Sequence, residues 1–483
     1  MSGPRTTGTA AVGAFGLDPE ARRRVGDRLD QAVRRARAEG RVILAAVTLP
    51  AVGRLDPTAI ACASRRPGER WFCLEQPDRE GFALAALGAV HTLEARGPER
   101  FVEVAAAWRS LAADAVTDPH EGPRGAGLVA VGGFAFAPEG GSAPHWAGFP
   151  PASLAVPEVA LARRAGTTWM TLTALAAPDD TPEGLLAGLE RRLRELRAEP
   201  LPLLDPAPVE RARVAGAMPP QHYVSAVARA VERIRAGELE KVVLAREVAV
   251  HAPAPHDPGA ILGVLREGFP QCFVFAAGAG DAAFVAASPE LLVRREGQRA
   301  STLALAGSTR RSADPAVDDH LGEQLLRSAK DREEQAIVAR RIRQTLRPHA
   351  VWVTAAPEPV IVRMANIQHL ATPIRVQLAT PIGAVDLAGR LHPTPAVGGE
   401  PFARAEELIP ELEGLDRGWY AGPIGWTDAA EDGEFCVALR CALLRGPVAR
   451  CYAGVGVVRD SDPAAELAET EVKLQALLPV LAG

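Results

Sequence analysis

Short apolar segments that follow one another directly in the second half of the chain constrain its fold most. Each is bounded by glycine, proline or charged residues, and no helix-length segment separates one from the next. Successive strands joined by tight turns pair in antiparallel fashion. The pattern therefore predicts an α+β fold rather than a doubly wound α/β fold. The clearest of these segments are Cys272–Ala277, Ala283–Ala287, Leu291–Arg295 and Thr302–Ala306.

Helix signals occur on both sides of these strands. Apolar residues at helical spacing predict the helices, and the last one begins at Asp462-Pro463, a capping residue followed by the proline favoured in a first turn. A strand from Lys241 to Val250 follows the helix in the middle of the chain. The predicted helices are Pro19–Glu39, Pro182–Arg197, His222–Ala236, about Val317 to Leu346, Ile382–Gly389, and one that starts at Asp462.

Repeated prolines between Glu199 and Pro208 suggest where the 483-residue chain divides. Proline interrupts both helix and strand, so this segment is the best linker candidate. We expect a flexible N-terminus (residues 1–17), an N-terminal α/β part of the fold (18–208) and a C-terminal part (215–483).

Composition excludes several classes of function. The chain is 47% apolar and 23% charged, with a net charge of −5, which is ordinary for a globular protein. It shows no basic stripe with interleaved aromatic residues, no signal-peptide core and no apolar run of membrane-spanning length. The six cysteines form no CxxC pair. We therefore expect a cytoplasmic protein, monomeric by default, with no nucleic-acid or membrane partner.

The C-terminal residues concentrate charge in an apolar setting. Arg440 lies in an alternating strand pattern, Phe435 to Cys441, and a glycine-punctuated strand follows from Tyr452 to Val458. On the last helix Glu466, Glu469 and Lys473 are spaced i, i+3, i+7, so they share one face. Oxygen ligands beside cationic groups predict a pocket for a small anionic substrate held partly through a metal.

Two residues have the chemistry of an acid–base pair. Lys241 opens an apolar strand, where loss of water favours a neutral amine that can act as a base; an edge lysine that reaches solvent is the alternative. Glu290, in Ser288-Pro289-Glu290 between two apolar strands, has a carboxyl suited to a general acid if it is buried. A turn with an exposed glutamate is the alternative there.

Other candidates carry less information alone. The turn at Gly307-Ser308 offers free N–H groups beside arginines, as carboxylate sites do. Three acids, Asp331, Glu333 and Glu334, lie in the mixed-charge run from Lys330 to Gln335. They either belong to a solvated helix face, or one of them shares Mg²⁺ with a carboxylate of the last helix. His369 and His392 are lone histidines, for which structural roles are the simpler interpretation.

The order and wording of nine motifs together closely resemble the chorismate-utilising enzymes. This family comprises isochorismate and salicylate synthases, anthranilate synthase large subunits and aminodeoxychorismate synthases. The resemblance covers residues 215–483 strongly and Gly132–Phe136 more loosely, and many motifs in one order are far more specific than any single one. The motifs are KVVLAR (241–246), SPELL (288–292), LAGS (305–308), KDR (330–332), HLATP (369–373), LHPTPA (391–396), DRGWYAG (416–422), ALRCA (438–442) and AGVGVV (453–458).

The resemblance implies a fold and a set of residue roles. The fold is a sandwich of large, mostly antiparallel sheets with helices packed outside. Lys241 corresponds to the base that activates water, and Glu290 to the acid that protonates the departing C4 hydroxyl. The other implied roles are Mg²⁺ ligation by Glu334 and Glu469 with Glu466 as an outer or water-mediated partner, contact with the enolpyruvyl carboxylate by Arg440 and the backbone at Gly454, contact with the ring carboxylate by Lys473, Gly307 and Ser308, and a pocket-lining position for His369.

Three positions indicate an isochorismate synthase within this family. Ammonia-using anthranilate synthases typically have Gln where this chain has Lys241, because ammonia needs no base. Aminodeoxychorismate synthases carry a nucleophilic lysine at the position of Ala306, and lyase-type relatives that release pyruvate tend to have Thr at Ala396. One departure is Gln335, where the family usually has His, which puts that residue's part in positioning the helix in doubt.

The implied activity is an isomerase reaction, the Mg²⁺-dependent, reversible conversion of chorismate to isochorismate without a glutaminase subunit. A salicylate synthase or an anthranilate synthase component I-like enzyme remains an alternative. From another class, a non-catalytic small-anion binder also remains open. Whether the product serves menaquinone, siderophore or salicylate synthesis depends on neighbouring enzymes.

Overall fold

The computed structural model describes residues 15–119, 122–205 and 211–483. Most of the N-terminal segment expected to be flexible, residues 1–14, lies outside these ranges, as do the prolines at 206 and 208 of the predicted linker. The boundaries of the two predicted parts stay a prediction.

The helices often begin at an Asp-Pro pair, in which the aspartate side chain accepts a hydrogen bond from a backbone N–H of the first turn. The α-helices of the described residues are α1 (Pro19–Glu39), α2 (Pro57–Ser64), α3 (Arg100–Ala113), α4 (Pro182–Glu195), α5 (Pro220–Arg235), α6 (Pro258–Gly268), α7 (Pro315–Arg327), α8 (Ala329–Leu346), α9 (Ala384–Leu391), α10 (Phe402–Glu413), α11 (Pro463–Leu474) and α12 (Leu478–Ala482).

The strands range from 2 to 12 residues and are rich in small and branched apolar residues. In chain order they are β1 (Ile43–Pro50), β2 (Gly68–Gln76), β3 (Phe82–Leu87), β4 (His91–Ala95), β5 (Val116–Thr117), β6 (Val129–Phe134), β7 (Ala152–Val156), β8 (Val159–Arg164), β9 (Thr167–Ala176), β10 (Arg213–Gly216), β11 (Lys241–His251), β12 (Phe273–Gly280), β13 (Ala282–Ser288), β14 (Leu291–Glu296), β15 (Arg299–Arg310), β16 (Ala350–Ala355), β17 (Val360–Arg363), β18 (Ile367–Leu378), β19 (Gly399–Glu400), β20 (Pro423–Asp428), β21 (Gly433–Val437), β22 (Cys441–Arg445) and β23 (Val448–Val457).

Within the described residues these strands form two large sheets, of 13 and 10 strands. The first runs β10-β11-β23-β22-β13-β12-β2-β3-β8-β9-β1-β5, with β19 paired to β11. The second runs β16-β18-β15-β14-β21-β20-β6-β7-β4, with β17 paired to β18. Among the described strand pairs, only β1 and β5 are parallel. Both sheets contain strands from both halves of the chain.

Burial shows how the layers pack. In β1, Leu44 and Ala46 belong to an apolar core that also contains Val131 of the second sheet, so the two sheets face each other. The alternate residues Ile43 and Ala45 belong to a second core with the apolar faces of α1 and α4. The predicted α+β fold, with antiparallel sheets in a sandwich and helices outside, is confirmed.

The prediction of one long helix from Val317 to Leu346 is wrong. The helix is interrupted at Ser328, whose extended backbone ends α7. The Ser328 hydroxyl accepts a hydrogen bond from the N–H of Asp331 and so caps the start of α8. The break matters because it puts Lys330 and Glu334 in the first turns of a separate helix. Helices α2, α3, α6 and α10 are absent from the sequence prediction, and the last predicted helix ends at Leu474, after which α12 is a separate short helix.

No helix among the described residues is both long enough and apolar enough to cross a bilayer.

Candidate active site

Two neighbouring crossings between the sheets create the site. The chain leaves the first sheet after β13 and enters the second at β14, and it makes the reverse crossing between β21 and β22. Because β13 pairs with β22 and β14 pairs with β21, the two connections lie side by side. The N–H of Val437 donates to the carbonyl of Glu290 (3.0 Å), and the N–H of Ala287 donates to that of Arg440 (3.1 Å). The crossings thus bring Glu290 and Arg440 to one place.

Arg440 is not in a strand, so that prediction is wrong. Strand β21 ends at Val437, β22 begins at Cys441, and Arg440 has a left-handed backbone with φ +50°. A non-glycine residue rarely adopts this conformation, which is most common at turns and functional sites. The segment predicted as one strand is therefore two strands, β21 and β22, joined by a sharp turn that contains Arg440.

The predicted substrate-binding residues line one pocket with an empty volume of about 600 Å³. Lys241 lies next to this pocket rather than in its lining, and Glu466 is outside the lining as well. The lining includes Glu290, Gly307, Ser308, Glu334, His369, Ala396, Arg440, Gly454, Glu469 and Lys473.

Lys241 is fully buried, so it is not an edge lysine that reaches solvent. Its side chain is 0% exposed, and Nζ lies 2.9 Å from Oε1 of Glu334. Among the described residues no group accepts a hydrogen bond of normal geometry from Nζ. Gly456 makes room for this pair, since a Cβ there would lie 2.1 Å from Glu334 Oε1 and 2.7 Å from Lys241 Cε. The amine is therefore held against a carboxylate with hydrogen-bonding capacity left over.

Glu290 is 3% exposed, so it is not part of an exposed turn. Burial raises the pKa of its carboxyl to about 8, although the positive charges of Lys241, Arg440 and Lys473 oppose this rise. The carboxyl is therefore protonated at neutral pH and can donate a proton. The effect of Lys241 on it places both residues in one electrostatic environment.

His369 orients the arginine at the corner. Burial, with the nearby charges of Arg440 and Lys473, lowers the pKa of His369 to about 3, so the ring is neutral. Its Nδ1 lies 3.2 Å from the carbonyl oxygen of Gly307, and its Nε2 lies 3.2 Å from Nη2 of Arg440. A neutral ring with its proton on Nδ1 satisfies both contacts, since Nδ1–H donates to Gly307 and Nε2 accepts from Arg440.

Arg440 keeps its charge free for a ligand. Within the ranges that the structure describes, no carboxylate forms an ion pair with it. Its guanidinium projects into the pocket beside the neutral ring of His369. An arginine without a carboxylate partner in such a place suits an anionic substrate.

The last helix contributes an ion pair to the opposite side of the pocket. Glu469 accepts hydrogen bonds from Ser308 Oγ (2.6 Å) and Lys473 Nζ (2.8 Å), and Nζ also donates to the carbonyl of Gly454 (2.8 Å). Burial works against ionisation, but Lys473 and Ser308 lower the pKa of Glu469 to about 2. This carboxylate is therefore ionised at physiological pH.

Strand β15 has a bulge at Gly307, just before Ser308, where the backbone is left-handed with φ +72°.

Glu466 is 1% exposed and lies against Lys330 of α8, with 2.5 Å between Nζ and Oε1. Its pKa is raised by burial and lowered in part by Lys330. Lys330 belongs to the run that sequence alone could assign to a solvated face. The contact instead turns the first residues of α8 towards α11.

Three glutamates thus meet three lysines near the pocket. Hard oxygen donors are what Mg²⁺ prefers, and it commonly takes one or two carboxylates together with substrate oxygens and water. Among the described residues no three carboxylate, imidazole or thiol groups converge as a ready-made cage. The donor chemistry of Glu334 and Glu469 fits Mg²⁺ bound with substrate, with Glu466 nearby.

Gln335 takes over the positioning of α8. Its amide Nε2 donates to the carbonyl of Ala304 in β15 (2.9 Å) and to Thr372 Oγ1 in β18 (3.0 Å). The side chain is buried and ties the helix that carries Glu334 to the second sheet. Although this chain has Gln335 where the family usually has histidine, the side chain at this position still fixes α8 to the second sheet.

The pocket lining also contains two tyrosines that were not predicted from the sequence. Tyr420 and Tyr452 stack with their ring centroids 5.2 Å apart, and the hydroxyl of Tyr420 lies 2.7 Å from where a Cβ on Gly454 would stand. Tyr420 belongs to the DRGWYAG motif, which was a signal without an assigned role. His392, interpreted as structural, contacts the carbonyl of Phe136 with Nε2 at 2.9 Å.

Known proteins place this arrangement in a family. A family model described as chorismate binding enzyme matches residues 31–482, and the chain belongs to that family. It is 37% identical over 458 residues to the salicylate biosynthesis isochorismate synthase of Pseudomonas aeruginosa, covering 94% of this chain and 93% of that protein. It is 32% identical to the isochorismate synthase MenF of Bacillus subtilis, covering 87% and 89% of the two chains.

Solved structures agree with the fold. The menaquinone-specific isochorismate synthase MenF of Escherichia coli superposes with a TM-score of 0.76 at 27% identity, covering 94% of this chain and all of that one. Anthranilate synthase component I of Streptococcus pneumoniae, at 20% identity and a TM-score of 0.65, shares the fold over 82% and 91% of the two chains. The predicted resemblance to chorismate-utilising enzymes, on the side of the isochorismate synthases, is confirmed.

Proposed function

We propose that this protein is an isochorismate synthase that interconverts chorismate and isochorismate. In the forward direction water adds at C2, the ring double bonds shift, and the C4 hydroxyl leaves as water, so one water enters and one departs. The observation that carries the proposal is a buried acid with a pKa of about 8 that shares a site with the buried amine of Lys241. A site that only binds an anion needs neither group.

Arg440 and its neighbours are proposed to bind the enolpyruvyl carboxylate. The guanidinium has no carboxylate partner in the described chain, and neutral His369 fixes its direction without competing for the anion. The backbone at Gly454 forms the adjacent surface of the pocket. Charge-assisted hydrogen bonds of this kind are roughly twice as strong as neutral ones and supply both affinity and orientation.

The ring carboxylate is proposed to lie near Lys473, Gly307 and Ser308. Lys473 supplies positive charge, and the bulge at Gly307 exposes backbone next to the Ser308 hydroxyl. Ala396 contributes only a methyl group to the pocket lining, so this one position offers no hydroxyl to the substrate.

Lys241 and Glu290 are proposed to move the two protons. Lys241, neutral when it acts, takes a proton from the water that attacks C2, and Glu290 gives its proton to the oxygen that leaves C4. General acid–base help of this type is worth about 10²–10⁴-fold for each group. In the reverse reaction the two roles exchange.

Glu334 and Glu469 are proposed to hold Mg²⁺, with Glu466 as an outer partner. When bound, Mg²⁺ would polarise the ring carboxylate and withdraw electron density from the conjugated ring. The protein side chains then have two tasks here: they supply oxygen donors and they keep these donors close to the ring.

We also propose that the enzyme works as a monomer in the cytoplasm, without a glutaminase subunit. Each residue given a role comes from this one chain, and the nucleophile is water rather than ammonia. Turnover that persists in the monomer peak of a size-exclusion column at low protein concentration supports this, and activity confined to a larger species contradicts it.

The test is product analysis with purified protein, chorismate and Mg²⁺. We expect isochorismate as the product, and loss of turnover in Lys241→Met and in Glu290→Gln with unchanged circular dichroism. Release of pyruvate with salicylate identifies a salicylate synthase instead. Anthranilate formed on addition of ammonia identifies the other alternative, and binding without any product leaves a small-anion binder.

A further inference from the structure

The lysines of this chain are few and are all in one place. There are only three, Lys241, Lys330 and Lys473, while the other 51 basic residues are arginines. Each contacts one of the three glutamates discussed above: Lys241 with Glu334 at 2.9 Å, Lys330 with Glu466 at 2.5 Å, and Lys473 with Glu469 at 2.8 Å.

This distribution indicates that an ammonium, rather than a guanidinium, is needed at each of these positions. Arginine binds carboxylates through a planar fork and is hard to detach once both of its hydrogen bonds form. An ammonium is a compact point charge on a flexible stem, and it can leave its partner more easily. Lys241 and Lys473 have proposed roles in proton transfer and substrate binding, whereas Lys330 has none.

Lys330 occupies a distinctive position. It lies in the first turn of α8, just after the break at Ser328, and its side chain is 31% exposed while Glu466 is almost fully buried. Burial opposes its charge, but Glu466 first, then Glu469 and Glu334, raise its pKa above the usual value. Its ammonium therefore interacts with all three carboxylates.

We propose that Lys330 is the internal counter-ion of the metal-free site, and that Mg²⁺ and the Lys330–Glu466 ion pair exclude each other. A buried carboxylate without a partner is costly, so Glu466 needs a cation before the metal arrives. A divalent ion among these carboxylates repels the ammonium and neutralises the charge of Glu466 in its place. Lys330 then leaves Glu466 towards solvent, to which 31% of its side chain is already exposed.

This inference rests on the metal ligands of the proposed function, but it is tested without chorismate. The first experiment uses the wild-type protein, in which only three lysine side chains can react with an amine-selective reagent. Samples are labelled briefly with an N-hydroxysuccinimide ester, with Mg²⁺ or with sodium chloride at equal ionic strength, and the peptides are measured by mass spectrometry. We expect labelling of Lys330 to rise at least about fivefold with Mg²⁺, as its amine leaves Glu466. Labelling is normalised to that of the same peptide in protein unfolded in urea, because Lys241 contacts a proposed Mg²⁺ ligand and is itself expected to respond to the metal.

Unchanged or reduced labelling of Lys330 in Mg²⁺ overturns the proposal. The same labelling keeps it separate from the proposed function, because a protein that makes isochorismate but shows no release of Lys330 refutes only this inference. A protein that releases Lys330 in Mg²⁺ but forms another product refutes only the proposed reaction.

The second experiment measures Mg²⁺ affinity calorimetrically in the absence of substrate. Lys330→Met removes the competing cation and is expected to lower the Kd for Mg²⁺ by about tenfold, within the usual range of coupling between two binding events. Lys330→Arg keeps the charge and is expected to bind Mg²⁺ no more tightly than the wild type. The matched control is Arg332→Met on the same helix, which removes an exposed ion pair with Glu358 outside the helix and should leave Mg²⁺ binding unchanged. Equal or weaker binding by Lys330→Met, or no Mg²⁺ binding by any of these proteins, overturns the proposal.

Discussion

Replacement of Glu290 by glutamine should make the protein more stable while it abolishes turnover. The carboxyl is 3% exposed, and its pKa in the folded protein is about 8 against a usual value of 4.5. At 1.36 kcal/mol per pH unit, ionising it in the folded state costs about 5 kcal/mol, and keeping it protonated at pH 7 costs about 3 kcal/mol relative to the unfolded chain. An amide of the same shape avoids this cost.

The sign of the pH dependence follows from the raised pKa. Below about pH 4.5 the carboxyl is protonated in both folded and unfolded chains, so the stability that it contributes is fully present. Between pH 4.5 and about 8 the unfolded chain loses its proton while the folded chain retains it, and that stability is lost. The advantage of Glu290→Gln should therefore grow from pH 5.5 to pH 8 and then level off.

Thermal unfolding of both proteins at a series of pH values measures this advantage. Relaxation of the site reduces the ideal figures, so we expect a gain of about 1–3 kcal/mol at pH 7. Glu413→Gln is the matched control: Glu413 is also buried, but it accepts hydrogen bonds from Arg417 and from the N–H of Ala245. Its replacement leaves a buried guanidinium unpaired and should destabilise the protein by about 3–5 kcal/mol. A Glu290→Gln protein that is less stable than the wild type at pH 8 refutes the reasoning.

Two further predictions concern turnover. In the wild type, kcat/KM should fall as pH rises through about 8, because Glu290 then loses the proton it must donate; a profile that is flat from pH 7 to 9.5 rules this out. Gly456→Ala should lower kcat by about 100-fold or more, since its methyl group would lie 2.1 Å from Glu334 and 2.7 Å from Lys241 and must displace both. Gly268→Ala, where no atom lies within 4 Å of the new methyl group, is its control, and wild-type activity in Gly456→Ala would show that the Lys241–Glu334 contact is dispensable.

Much of the fold was predictable because local signals agreed with it. Helix α1 has the predicted bounds, as its apolar stripe, Asp18 cap and Gly40 terminus all point the same way. The Asp-Pro signal that marked α11 also begins α2 and α6, at Asp56 and Asp257, yet both helices were missed. Helix α2 is short and its apolar residues lack a clear helical period, so periodicity alone hid it. Helix α6 does bury Ile261, Leu262 and Leu265 at helical spacing, so its signal was present but was not used.

The failures at the site have a physical cause. Nothing local distinguishes the alternating residues around Arg440 from an ordinary strand, because the corner arises from pairing with distant β13 and β14. The break at Ser328 carried a local signal, a serine with an acid three residues later, but a continuous run of helix-forming residues masked it.

Motif resemblance did more than local chemistry for the candidate site. Taken alone, Lys241 and Glu290 each had an exposed alternative, and only the folded chain shows that both are buried. Neither motif resemblance nor local chemistry predicted the role proposed for Lys330. Its contact with Glu466 joins two helices that are 136 residues apart in sequence.

The central claim is that water, activated on one side of the ring, replaces a hydroxyl that is protonated on the other. Turnover of chorismate in H₂¹⁸O, followed by mass spectrometry and NMR of the product, tests this most directly. The account predicts isochorismate with ¹⁸O in its C2 hydroxyl group. Isochorismate that retains the original C4 oxygen at C2, with no ¹⁸O, would show an internal transfer and contradict the roles given to Lys241 and Glu290.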